Sequence, residues 1–251
     1  MKTAEIKEQL EAAVPADLPE ILEQFALDER STVKKLLAQY HRKYQAYKQE
    51  LLRTEQMKKY EKAYEAYSYI CGIDEAGRGP LAGPVVAGAV ILPKDCQILY
   101  INDSKQLSAK KREELYEEIM EQAIAVGVGV VSPQIIDDIN ILQATYEAMR
   151  IAIGNLPQTP DLLLNDAVKI PQVNIRQVPL IKGDAKSISI AAASIIAKVT
   201  RDRMMVEYDK LYPEYGFAGH KGYGSAAHIA AIRKYGPCPI HRNTFIGNFI
   251  E

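Results

Sequence analysis

Asp74 and Glu75 are adjacent carboxylates at the end of the apolar run Tyr69-Ile70-Cys71-Gly72-Ile73, directly before Ala76-Gly77-Arg78-Gly79-Pro80. Asp166 closes a second such run, Leu162-Leu163-Leu164, and Asp184 follows a third, Val178-Pro179-Leu180-Ile181. Acids at the ends of separate strands can be gathered at one edge of a sheet. Carboxylates at close quarters repel and raise one another's pKa unless a cation joins them. All-oxygen sites of this kind suit Mg²⁺ or Mn²⁺, which bind through a few carboxylates and otherwise keep water or phosphate oxygens. Two such ions can activate a water and stabilise the leaving 3′-oxygen of a phosphodiester. Singly, each acid has a plainer explanation: Asp166 as a turn residue before Lys169-Ile170-Pro171, Asp184 as the N-cap of a following helix. Only the constellation makes the chemistry.

The elements that must position these residues are legible as short apolar runs alternating with amphipathic stretches, an α/β layer pattern. The pattern predicts strands over 67–74, 85–92, 125–131, 162–166 and 177–181, and helices over 109–122, 133–155, 186–212 and 225–235. Gly83-Pro84 leaves too little chain between the first two strands for a helical crossover, so they are expected to be antiparallel neighbours in a mixed sheet. Consecutive strand residues point to opposite faces. Asp74 and Glu75 are therefore expected to converge only if their strand stops there, with Gly77 and Gly79 freeing the backbone for the break.

Residues 1–66 have a different texture. They contain no glycine and are rich in Glu, Lys, Gln, Leu, Ala and Tyr, the mix of a helical extension to a catalytic domain over 67–251. Between Arg30 and Lys62 stand ten Lys or Arg against three Glu. Tyr40, Tyr44 and Tyr47, and again Tyr60, Tyr64 and Tyr67, fall at the i, i+4, i+7 spacing of one helix side. Two readings stand side by side. One is an auxiliary nucleic-acid arm, with cations on phosphates and tyrosines stacking or packing. The other is a helical hairpin with buried tyrosines and solvated lysines.

Bulk composition excludes several classes. The 251 residues are 47% hydrophobic and 25% charged, enough for a proper core, and the formal net charge of −1 favours no polyanionic partner by itself. Cys71, Cys96 and Cys238 form no C-x-x-C pair and make no ligand spacing with His41, His220, His228 or His241. The opening MKTAEIKEQL lacks the apolar core of a secretory signal, and the apolar run 80–92 is too short and too rich in Gly and Pro for a membrane span. A cytoplasmic, monomeric protein with no membrane partner is expected. Gly77, Gly79 and Gly83 give G-x-G-x-x-x-G, one residue too long for a dinucleotide fingerprint, with two acids where phosphates would arrive. No G-x-x-x-x-G-K-[ST] is present.

The stretch from Gly72-Ile73-Asp74-Glu75-Ala76-Gly77-Arg78-Gly79-Pro80 through Leu81-Ala82-Gly83-Pro84-Val85-Val86-Ala87 resembles the signature of ribonuclease HII. Further family features follow in order: Asp103-Ser104-Lys105-Gln106-Leu107, Asn165-Asp166-Ala167, Lys182-Gly183-Asp184-Ala185-Lys186 and the run from Ala192 to Asp202. Gly222-Tyr223-Gly224 with His228, and Pro239-Ile240-His241-Arg242, complete the set. The likeness covers roughly 67–251 and transfers nothing to 1–66.

It implies a ribonuclease H-like fold, a mixed central sheet flanked by helices. It also implies an endonuclease that hydrolyses the RNA of RNA–DNA hybrids, or the bond 5′ to a ribonucleotide embedded in duplex DNA, leaving 3′-hydroxyl and 5′-phosphate ends. By the same resemblance Asp74, Glu75, Asp166 and Asp184 are the catalytic carboxylates holding two Mg²⁺ or Mn²⁺ ions. Gly77, Arg78 and Gly79 read the 2′-hydroxyl through their backbone, and Tyr223 packs against the sugar at the RNA-to-DNA junction. Lys105, Lys186, Lys198 and Arg201 contact phosphates or hold the acidic cluster; for any one of them a supporting or solvated role is the alternative. Asp202 pairs with a neighbouring base, and the likeness gives His241 and Arg242 no role. The rival readings are a different carboxylate-metal nuclease on the same fold and a non-catalytic RNA–DNA hybrid binder.

Overall fold

Four of the longer helices start on a serine whose hydroxyl accepts an N–H of the first turn, the commonest way to satisfy the orphan donors of a helix. These caps are Ser108, Ser132, Ser187 and Ser225. The computed structural model describes residues 1–250 and divides into two units, Met1–Gln56 and the chain from Met57 on.

The first unit holds α1 (Thr3–Ala12), α2 (Leu18–Gln24) and the long α3 (Ser31–Met57) up to Gln56. Ile6 and Leu10, Leu18 and Leu22, and Val33, Leu37 and Tyr40 form its small core, with Tyr44 packed against it. Each helix thus contributes one apolar stripe at i, i+3 or i+4 spacing. Tyr40 belongs to that core.

The second unit begins with α4 (Lys59–Ala63), followed by β1 (Ile70–Ala76), β2 (Val85–Ile91), α5 (Ala109–Gln122) and β3 (Ala125–Val131). Then come α6 (Pro133–Gly154), β4 (Leu162–Asp166), β5 (Arg176–Leu180), α7 (Ile188–Leu211), α8 (Phe217–His220), α9 (Ala226–Tyr235) and α10 (Asn243–Ile246). The strands form one mixed sheet in the order β3-β2-β1-β4-β5; β1–β2 and β2–β3 are antiparallel, β1–β4 and β4–β5 parallel. The mixed sheet and its antiparallel first pair are as the sequence predicts.

Helices cover both faces. Cys71, Ile73, Val85, Ala87, Ala89 and Ile91 face α6, while Val90 packs with α5 and the buried side of α7. On the α7 side the contact is close because strand glycines meet small helix residues. A Cβ on Gly72 would overlap the Ser189 backbone, and one on Gly88 the Ala193 carbonyl.

Three expectations need correction. β1 starts at Ile70 and runs through Asp74 and Glu75 to Ala76, so the strand does not end at residue 74. The helix over 133–155 is broken at Asn140, which has φ +66 and whose Oδ1 accepts from Leu142 and Gln143 N–H, recapping the second segment. With ψ 163 the residue lies outside both helical regions, a costly backbone for a non-glycine residue, and its side-chain oxygen caps the segment that follows, so one residue both ends and restarts the helix. Finally, α4 stops at Ala63, so of the three tyrosines only Tyr60 lies in it; all three nonetheless pack against the cluster of Ile70, Leu162, Leu164, Leu180 and Ile190.

Candidate active site

The parallel strands β1, β4 and β5 end at one edge of the sheet. Pairing of β1 with β4 stops at Ile73 with Asn165, whereas pairing of β1 with β2 continues through Asp74 with Gly88 and Glu75 with Ala87. The strand therefore stops on one side only. Asp74 and Asp166 stand one step past the last β1–β4 pair, as neighbours at the open end. Strand alternation sends Asp74 to the α7 face and Glu75 to the α6 face, and the missing β4 partner lets both border the same opening.

Asp184 reaches this edge from the 3₁₀ turn Gly183–Ala185 just after β5. Asp166 Oδ1 accepts the Gly183 N–H at 2.7 Å, tying the β4 end to that turn. Asp184 does not cap α7; Ser187 does, accepting from Ile190 N–H at 3.2 Å.

The electrostatics follow from this crowding. Asp74 is buried, and burial followed by the Glu75 carboxylate holds its pKa well above the ordinary range, with Asp166 adding and a Ser194 hydrogen bond opposing. Burial also raises Glu75, against the opposing charge of Arg78, whose Nη1 lies 3.4 Å from Oε1. Asp184 is raised by burial, then by Asp103 and Asp166. Lys105 answers this charge. Burial works against its proton, but Asp103, Asp74, Asp184 and Glu75 together raise its pKa.

The donor set is thus four carboxylates with one lysine, all oxygen on the ligand side, with Asp74, Glu75 and Asp184 destabilised as anions first by burial and then by nearby acids. That chemistry fits a hard divalent cation. Among the described residues no three His, Cys, Asp or Glu side chains close into a ready-made coordination set. Magnesium-type ions complete their shells with water and phosphate, so an open edge suits them better than a protein cage.

Two buried arginines hold the loop after β1. Arg201 is fully buried, and Nε, Nη1 and Nη2 donate to the carbonyls of Pro84, Lys221 and Ala82 at 2.9, 3.0 and 3.0 Å. With its donors on these carbonyls, it braces the loop. Arg242, equally buried, donates to the carbonyls of Gly77, Arg78 and Gly83. Gly77 has φ +94, and a Cβ there would run into the Arg201 side chain; around Gly79 the space is open.

Lys198 pairs with Asp202 at 2.8 Å and stands 5.9 Å from the Tyr223 ring centre, with Arg201 6.0 Å from the same ring. Tyr223 is 45% exposed, so its ring is available to a ligand. Exposed Lys186 donates to the Ile181 carbonyl at 2.7 Å, across the turn that carries Asp184.

Sequence reasoning passed over Asp103, a fifth carboxylate at the edge. Its Oδ1 accepts the Lys105 N–H at 2.9 Å, and Ser104 beside it bonds Ser194 of α7 at 2.8 Å. The signal was there in Asp103-Ser104-Lys105. Arg242 was also missed as the clamp of the 77–83 loop.

The family model of ribonuclease HII matches residues 71–248, and that of the ribonuclease HII N-terminal domain matches residues 2–65. The likeness therefore extends into the segment to which the motifs transferred nothing. Ribonuclease HII of Lachnoclostridium phytofermentans is 62% identical over 99% of this chain and 98% of its own length. That of Acetivibrio thermocellus is 58% identical over 87% of this chain and 86% of its own. Among solved structures, ribonuclease H2 of Pyrococcus horikoshii OT3 superposes with a TM-score of 0.59 at 29% identity, covering 72% of this chain and 98% of that one.

Proposed function

The chain belongs to the ribonuclease HII family and is an endoribonuclease of RNA–DNA hybrids, and from that premise we propose that Asp74, Glu75, Asp166 and Asp184 are its catalytic carboxylates. The observation that carries the assignment is the one-sided end of β1, which leaves Asp74 and Asp166 adjacent with Glu75 beside them and Asp184 tied in through Gly183. Enzymes of this family depend on divalent metal ions. Here the four carboxylates would hold two ions, Mg²⁺ or Mn²⁺, which supply water activation and stabilisation of the leaving oxygen.

The chain's own groups do the rest. Lys105 balances the acidic edge before substrate arrives and offers a cation to the scissile phosphate. The 77–79 backbone, clamped by Arg242 and followed by the Ala82 and Pro84 carbonyls that Arg201 holds, stands open at Gly79, where a ribose can approach closely enough for its 2′-hydroxyl to be tested. Tyr223 lays its exposed ring against the deoxyribose that follows. Lys186 and Lys198 flank this path toward phosphates, and Arg201 acts beneath it through the loop. The substrates on this reading are RNA–DNA hybrids and duplex DNA with embedded ribonucleotides, cut 5′ to the ribonucleotide with 3′-hydroxyl and 5′-phosphate products. Residues 67–251 form the catalytic domain, acting as a monomer in the cytoplasm, and 1–66 are an appended helical segment. No described helix is long and apolar enough to cross a membrane.

The test is cleavage of a DNA duplex carrying one ribonucleotide, with ends mapped. Chelation should stop cleavage, and added Mg²⁺ or Mn²⁺ should restore it. Asp74→Asn should lower kcat by about a thousandfold or more while hybrid binding persists. Undiminished cleavage by the pure variant would remove Asp74 from the mechanism.

A further inference from the structure

Tyr223 sits on irregular backbone. Lys221 and Gly222 are left-handed, at φ 52 and 84, and α9 does not begin until after Ser225. An exposed ring on such a segment keeps its place only if the backbone beneath it is held from elsewhere. Three histidines supply that hold.

His241 Nδ1 accepts the Cys238 N–H at 2.9 Å, so the neutral ring carries its proton on Nε2. Nε2 of His241 lies 3.0 Å from Nε2 of His228, which must present a lone pair to it. His228 then carries its proton on Nδ1 and donates to the Tyr223 carbonyl at 2.9 Å. His220, stacked on His228 with ring centres 4.4 Å apart, accepts the Gly222 N–H on Nδ1 and donates from Nε2 to the Tyr215 carbonyl. One hydrogen-bond direction satisfies every ring.

His228 and His241 are both buried, among Tyr215 and Phe217. The same network reaches the loop after β1. The Gly222 carbonyl accepts from Leu81 and Ala82 N–H, Gly83 N–H donates to the Ile240 carbonyl, and Ala82 forms a bridge with His241. His241 thus joins the backbone beside the 77–83 turn to the backbone of Tyr223.

We propose that His228, oriented by His241, is a positioning residue for substrate discrimination: it fixes Tyr223 relative to the 77–83 turn, so that a ribose and the following deoxyribose are checked together. The inference rests on the reading of Tyr223 as the ring at the RNA-to-DNA junction. A single embedded ribonucleotide needs both checks at one step, whereas a long hybrid offers many registers. Loosening Tyr223 therefore penalises the single-ribonucleotide substrate more.

The experiment compares kcat/KM on a duplex with one ribonucleotide and on a duplex with a long ribonucleotide run, for the full chain and its variants, well below each melting temperature. His228→Phe keeps a ring and loses both nitrogens, and with them the bonds to the Tyr223 carbonyl and to His241; it should lower the single-to-long ratio about tenfold, the consequence of releasing the Tyr223 carbonyl. His228→Asn retains a donor near the Nδ1 position and should keep the ratio within about twofold. Should His228→Phe fail to fold, His241→Phe, which frees the His228 tautomer, is expected to lower the ratio in the same direction. Tyr223→Ala is the control. If it lowers the ratio and the phenylalanine variants do not, His228 is structural packing only and the proposal fails alone. If Tyr223→Ala leaves the ratio unchanged, the junction reading fails and takes the proposal with it.

Discussion

His241 and His228 share one proton between their facing nitrogens, and that arrangement has a pH dependence of definite sign. Burial, then the neighbouring His228, pushes His241 down to about 4 from its ordinary 6.5, and burial lowers His228 as well. As pH falls from about 6.5 to about 4, the unfolded chain takes up protons that the folded chain refuses, so stability falls through that window and is insensitive to these rings above it. Asp74 and Glu75, raised in the fold, act in the opposite sense, since the folded chain protonates them first. The informative quantity is therefore the difference between the wild type and His241→Gln, whose amide does not titrate. Measured by urea unfolding, the wild-type advantage should shrink on going from about pH 7 to about pH 4; a constant difference would show that His241 does not titrate with folding. At this scale the sequence was legible in the apolar runs that lead into Asp74 and Asp166, which the fold sets side by side at one edge. For Arg201 the sequence offered a phosphate contact, a support of the acidic cluster or a solvated role, because a helical run does not show which groups the side chain will meet. Only assembly brings the carbonyls of Ala82, Pro84 and Lys221, from two distant segments, around its guanidinium.

Elements hold the site by close packing of small residues. Asp74 pairs across the sheet with Gly88, and a Cβ on Gly88 would run into the Ala193 carbonyl of α7. The next residue of α7, Ser194, hydrogen-bonds toward Asp74 and Ser104. Gly88→Val would push α7 off the sheet and move Ser194 with it. Overpacking of this kind costs about 1–3 kcal/mol, so the urea midpoint should drop and cleavage should fall beyond what the unfolded fraction explains. Full stability and activity in that variant would mean that α7 does not set the acidic edge. Hydrophobic runs gave four of the five strands to within a residue or so, most directly β2 and β4, which are buried along nearly their whole length. The end of β1 was misjudged because pairing is a property of two strands. Nothing in Ile73-Asp74-Glu75-Ala76 says that β4 stops while β2 continues. The break at Asn140 escaped for a related reason, since the apolar periodicity passes straight through it.

For the molecule as a whole, the net charge of −1 conceals an uneven distribution. On α3, Lys34, Lys35, Arg42, Lys43 and Lys48 are exposed, while Tyr40 is buried in the core of the first unit and Tyr44 packs on it. Lys43 and Lys48 lie 5.4 and 5.8 Å from the ring centres of Tyr40 and Tyr44. Tyr40 is buried and not free to stack on a base, so a grip on nucleic acid by the charged side of this helix is through phosphates. Such contacts have a thermodynamic signature, because each phosphate neutralised on a duplex steepens the dependence of log K on log salt by about 0.9. Replacing the five exposed cations by glutamine should weaken hybrid binding at low salt and flatten that slope. It should leave kcat at saturating substrate unchanged, because every carboxylate of the acidic edge lies beyond Met57. A chain beginning at Met57 should behave the same way, since it keeps α4 and the tyrosines that pack on β4 and β5. If affinity and slope both survive the substitutions, the lysines of α3 are solvated and the first unit is not a phosphate-binding arm. If kcat falls in the shortened chain but not in the substituted one, the first unit supports the catalytic residues by a route other than charge.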